Sequence, residues 1–180
     1  MDYITNLIKN TITGKLILVN AIIFLFIIWY QQIDPILINY LFLNIPQVLS
    51  PGIILSNFAH IQPFHILLNL YGLYLLGPMI ESISGKKTFI KLIIFCMIFS
   101  SLGVWIFSPH PVLGFSGILM SMLAFVFFKY KQLGHIREQV GIFLVLNIVI
   151  GVLPGISFAG HLFGAIAGYF FYIISEKTNI

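Results

Sequence analysis

Six apolar runs dominate this chain: Leu16 to Ile33, Phe64 to Ile80, Phe89 to Phe107, Phe115 to Phe128, Val140 to Leu153 and Phe158 to Ile174. A bilayer core of about 30 Å asks for ~20 apolar residues per helix, so runs of this length and number predict membrane spans. Composition agrees, with 59% apolar residues, 8% charged residues and a mean hydropathy of +1.05, where soluble domains carry roughly 25% charge. The 180 residues suffice for about six spans and short connections, which predicts one compact all-α membrane bundle over 1–180 without a separate soluble domain. The first run follows Lys9 and Lys15 as a signal peptide would, but no small-residue cleavage site follows it, so it reads as a retained first helix. Cys96 is the single cysteine and stands inside an apolar run, where packing explains it.

The connections are set by turn chemistry: Pro46, Pro51 and Gly52 in the first, "SGKK" after the second run, "SPHP" before the fourth, "LPGIS" before the last. The nine basic residues are confined to alternate connections: Lys9 and Lys15; Lys86, Lys87 and Lys91; Lys129, Lys131 and Arg137; Lys177. The positive-inside rule then predicts both termini cytoplasmic, and the net charge of +4 is topological. No basic groove remains to support nucleic-acid binding, although the same lysines suit anionic lipid.

With that topology the second, fourth and sixth helices all begin at the outer face. Their first turns carry the residues a membrane tolerates least: His60, His65 and Asn69, then Ser116, then His161. The fourth run is short; its 14 residues reach about 21 Å, which places Ser116 below the outer surface. A serine becomes a nucleophile when a neighbouring base accepts its proton, and His161 is the candidate base. Gly160, Gly164 and Gly168 form a small-residue stripe that faces Gly117, Ser121 and Ala124, close enough to bring the pair together. Gly114 and Gly117 permit a tight turn into the helix, leaving free N–H groups beside Ser116, where an oxyanion would be stabilised. His65 and Asn69, four apart, share a helix face and would aim an imidazole and an amide at that oxygen. Taken singly, a serine between glycines or an intramembrane histidine is as readily a packing residue; their convergence at one depth points to chemistry.

These motifs resemble the rhomboid intramembrane serine proteases. The residues are "HILLN" from His65 to Asn69, "GFSG" from Gly114 to Gly117 and "HLFGAIAG" from His161 to Gly168, with His60 upstream and Gly77, Glu81 and Gly85 in a glycine-x₃-glutamate-x₃-glycine segment. The resemblance implies a compact six-helix bundle of the bacterial type in the plasma membrane, its site opening to the outer face. It implies Ser116 as nucleophile, His161 as base, and His65, Asn69 and the Ser116 N–H as oxyanion hole, with transmembrane proteins as substrates and no metal or other cofactor. Two features depart from the family. The first connection, Gln31 to Ala59, lacks a tryptophan–arginine pair, which would shift any membrane anchoring to Phe42, Ile45 and Ile53; Met120 stands where an aromatic often stacks on the histidine.

Other protease chemistries lack their residues. Only Asp2 and Asp34 are aspartates and both lie outside the runs, H-E-x-x-H is absent, and Ile118 occupies the last glycine of a G-x-S-x-G elbow. Asp34 has no sequence relation to His161, so a Ser116–His161 dyad is expected. Two alternatives stay open: a small metal transporter using His60, His65 and His161, which leaves Ser116 and Asn69 unexplained, and an inactive rhomboid-like binding protein.

Overall fold

The computed structural model describes residues 3–178; Asp2 lies outside the described residues. Their regular structure is helical: α1 (Tyr3–Asn10), α2 (Ile12–Tyr30), α3 (Pro35–Phe42), α4 (Gly52–Leu55), α5 (Pro63–Ser84), α6 (Lys86–Phe107), α7 (Ser116–Lys129), α8 (His135–Ile150) and α9 (Phe158–Lys177). Four of these, α2, α5, α6 and α9, are long and apolar enough to cross a membrane, whereas α7 and α8 have 14 and 16 residues.

The short helix lies at the centre. Every residue of α7 from Gly117 to Val126 is buried, as expected of a helix that is apolar on all sides. α5, α6, α8 and α9 pack around it. These helices and α2 turn large apolar side chains outward, among them Leu25 (66% exposed), Leu67 (63%) and Ile142 (60%). A rim of that composition suits hydrocarbon and not water.

The helix starts follow local chemistry. Thr11 caps α2 by accepting the Gly14 N–H at 2.9 Å, and Asp34 caps α3 by accepting the Leu37 N–H at 2.9 Å, with Pro35 at the first helical position. Gly85, at φ +81°, divides α5 from α6. α2 is also held by α5: Glu81, 7% exposed, accepts the N–H groups of Ile12 (2.9 Å) and Thr13 (3.0 Å) and the Thr13 hydroxyl (3.0 Å). A carboxylate at a helix N-terminus satisfies orphan donors and faces the positive dipole end. One turn earlier, a Cβ on Gly77 would collide with Thr13, so the glycine lets the two helices touch there.

The first long connection differs from expectation. It contains α3 and α4, too short for a hydropathy window, and its Phe42 turns inward to a tilted contact with Phe26 at 6.3 Å. Ile45 and Ile53 are half-buried, and the apolar side chains that this connection exposes most include Ile36 (81%), Leu49 (79%) and Ile33 (61%).

Candidate active site

The site is built where α7 begins. The Gly114 N–H donates to Ser56 O at 2.8 Å and the Phe115 N–H to His60 Nε2 at 3.4 Å, while Val112 pairs with Asn44. Gly114 has φ +122°, and a Cβ there would lie 2.7 Å from His65 Cε1, so both conformation and space require glycine. The turn delivers Ser116 as the first residue of α7. Among the described residues no protein acceptor takes the N–H of Ser116 or of Gly117, leaving two donors at the positive end of the helix.

His161 arrives from α9. Ser157 caps that helix by accepting the Gly160 N–H at 3.0 Å, and His161 follows one turn in, 5% exposed. Its Nε2 lies 3.2 Å from Ser116 Oγ, and its Nδ1 lies 2.6 Å from the carbonyl oxygen of Asn147 in α8. Backbone proximity makes the Ser116 contact possible. A Cβ on Gly164 would collide with Gly117 O, and one on Gly168 with Ser121 O. The Ser121 hydroxyl lies 2.7 Å from Gly164 O and 3.0 Å from Gly117 O, bridging α7 and α9 where they approach.

The serine is recessed. A Cβ on Gly117 would meet Ser100 Oγ at 3.4 Å, so Ser100 marks its level on α6. α6 continues from Ser100 to Phe107, about 10 Å further at 1.5 Å per residue.

Of the remaining sequence-derived residues, His60 and His65 lie at the same turn, whereas Asn69 and Met120 stand one helical turn further along α5 and α7. His60 is fully buried, and its ring meets that of His65 edge-on at 4.9 Å. Asn69 is buried one turn along α5 from His65, and its amide donates to His65 O at 2.9 Å, so its own helix occupies one of the two amide N–H groups. Met120 is buried one turn into α7. Behind Ser116 lies a polar cavity of about 20 Å³, lined in part by Ser56, Asn57, Ser100 and Ser101, enough for one water. Asn57 Nδ2 donates to Ser101 Oγ at 2.7 Å and Asn44 Nδ2 to Ser101 O at 2.9 Å. Sequence reasoning passed over these polar residues and Asn147, because scattered single amides and hydroxyls carry no spacing signal. Among the described residues no three of His, Cys, Asp and Glu are grouped to hold a metal ion, so the metal-transporter alternative has no ligand set there.

Comparison with known proteins places this arrangement in a family. Residues 50–177 match the Rhomboid domain. The chain belongs to the rhomboid family. Rhomboid relatives include the rhomboid protease GluP of Bacillus subtilis, 26% identical over 62% of this chain and 23% of GluP. The mitochondrial presenilin-associated rhomboid-like protein of Bos taurus is 28% identical over 69% of this chain and 34% of its own. An uncharacterized protein of Mycobacterium tuberculosis is 28% identical over 65% and 55%. This rhomboid chain thus spans about half the length, or less, of these relatives. The matched residues run from the first long connection to the end of α9 and include Ser116, His161, His60, His65, Asn69 and Asn147, while Asn44 precedes them.

Proposed function

We propose that this chain is an intramembrane serine endopeptidase that cleaves transmembrane segments of other membrane proteins. One observation carries the reading: the 3.2 Å approach of His161 Nε2 to Ser116 Oγ, at a helix start with two vacant N–H donors. In the proposed reaction the Ser116 oxygen attacks the scissile carbonyl as its proton passes to His161 Nε2. The carbonyl oxygen gains the negative charge and sits against the N–H of Ser116, with the His65 ring and the second Asn69 amide N–H as further donors. His161 then gives its proton to the departing amine. A water, deprotonated in turn by His161, hydrolyses the acyl-enzyme and restores the serine; the polar cavity behind Ser116 can store it.

The proposed topology has six spans, with α7 and α8 completing the four longer helices, and both termini on the cytoplasmic side. Its support is the confinement of all nine basic residues to alternate connections. In a bacterial plasma membrane the site would then open to the outer face, below the surface. The alternative of an inactive rhomboid-like protein would leave the serine–histidine pair without a purpose.

A fluorophosphonate tests the assignment. The purified protein should gain one adduct, mapped by peptide mass to Ser116 and lost in His161→Ala. An adduct on any other residue, or equal labelling of His161→Ala, would overturn the assignment.

A further inference from the structure

His161 uses both ring nitrogens, and only one of them faces Ser116. Nδ1 lies 2.6 Å from the Asn147 carbonyl oxygen. A carbonyl can only accept, so this nitrogen carries the proton and the neutral ring presents a lone pair at Nε2. That is the tautomer a base at Nε2 requires. The acceptor belongs to the last turn of α8, which ends at Ile150, and it also accepts the Gly151 N–H at 3.1 Å. Its two lone pairs therefore serve two donors, one of them from a different helix. The C-terminal end of a helix carries partial negative charge and favours a neighbouring cation.

We propose that the Asn147 backbone carbonyl, at the C-terminal turn of α8, is the positioning group for His161: it fixes the ring and its tautomer and stabilises the imidazolium formed as Ser116 attacks. The inference rests on the reading of Ser116 and His161 as nucleophile and base. The Ser116 proton passes to Nε2, the Nδ1 proton stays where it is, and the carbonyl is never protonated. A helix end thus fills the place that an aspartate holds in a Ser-His-Asp site.

Gly151 keeps the two helix ends together. A Cβ there would lie 2.9 Å from Phe158 Cα, in the first residue of α9, and 3.0 Å from Ile148 O. Any side chain at 151 must push the start of α9 away from the end of α8, lengthening the bond between Asn147 and His161. No aspartate or glutamate pattern marks such a device in sequence, since every residue has a carbonyl.

An amide-to-ester replacement of the Asn147–Ile148 bond, made with the hydroxy acid analogue of isoleucine, weakens this acceptor and leaves every side chain in place. The same replacement at the Ile148–Val149 bond also removes one helical N–H but spares the Asn147 carbonyl. The first ester should lower the fluorophosphonate labelling rate of Ser116 and kcat on a reporter span about tenfold, with KM unchanged. The second should stay within twofold of the parent. In histidine-¹⁵N-labelled protein a low-field proton should be bonded to His161 Nδ1 and should move upfield in the first ester only. Should the first ester fail to fold, Gly151→Ala replaces it and should give the same rate loss and spectral change. Equal behaviour of the two esters, a parent Nδ1 without a proton, or a fully active Gly151→Ala that keeps the low-field signal would overturn the role of Asn147 alone. A parent protein that does not label at Ser116 would overturn both the role of Asn147 and the protease reading beneath it.

Discussion

Among the described residues, the side chain that hydrogen-bonds Ser116 Oγ is the His161 imidazole, 3.2 Å away. In the proposed mechanism the reactivity of the two is therefore one property. Ser116→Ala and His161→Ala should each abolish cleavage of a membrane reporter, and the double variant should be no slower than either, because partners in one proton transfer are not additive. Two partial losses that multiply would show independent roles. Asn69 belongs to a different class. One of its amide N–H groups already donates to His65 O, and in the proposed reaction the other would be one donor among several around the oxyanion. Asn69→Ala should lower kcat by ~10²-fold or less and leave fluorophosphonate labelling detectable. A folded Asn69→Ala protein with no labelling would make the residue structural.

At the scale of the helix, the bundle depends on two helix–helix approaches, one of them at the site. Gly164 touches the Gly117 carbonyl, so Gly164→Val should part α7 from α9, lengthen the Ser116–His161 contact and reduce both melting temperature and activity. An undiminished variant would contradict that packing. The other approach is distant from the chemistry. Glu81 holds the start of α2 through three hydrogen bonds, and Glu81→Ala leaves two N–H groups and a hydroxyl without this acceptor. We expect a loss of about 3 kcal/mol in unfolding free energy, measured by denaturation in detergent, with the Ser116 labelling rate unchanged in the fraction that stays folded. How much of this could be read from sequence follows from what each residue displays. Ser116, His161, His65 and Asn69 are side chains of distinctive chemistry, and the alternation of basic connections predicts their helix starts at one level. Gly164 and Gly168 displayed their spacing. Glu81 was visible as a residue, but its partners at Ile12 and Thr13 are backbone groups brought to it by the fold alone. The same holds for Asn147, whose contribution is a carbonyl. The helix α3 was legible in principle, since Asp34 and Pro35 form a cap and a first turn, yet eight residues are too few to register in a search for spans.

At the scale of the whole molecule, four longer helices, α5, α6, α8 and α9, pack against the short α7. α7 has 14 residues against 22 in α5 and in α6, so its first residue is sunk beneath the end of the bundle from which it starts. Under the proposed function, a substrate helix would hydrogen-bond its own carbonyls and could not present one to Ser116 until it locally unwound, which glycine, proline or polar residues near the outer membrane boundary should favour. The tight approach of α7 and α9 leaves little room beside the serine, so the residue before the cut should be small. The most direct measurement reconstitutes the protein in liposomes with a single-span reporter bearing an alanine and helix-breaking residues in its outer half, and locates the cut by mass spectrometry. We predict one cut after that alanine, absent with Ser116→Ala and at least tenfold slower when the alanine becomes phenylalanine or the helix breakers become leucine. Cleavage that persists in Ser116→Ala, or an unfolded soluble protein cut faster than any membrane span, would contradict the account.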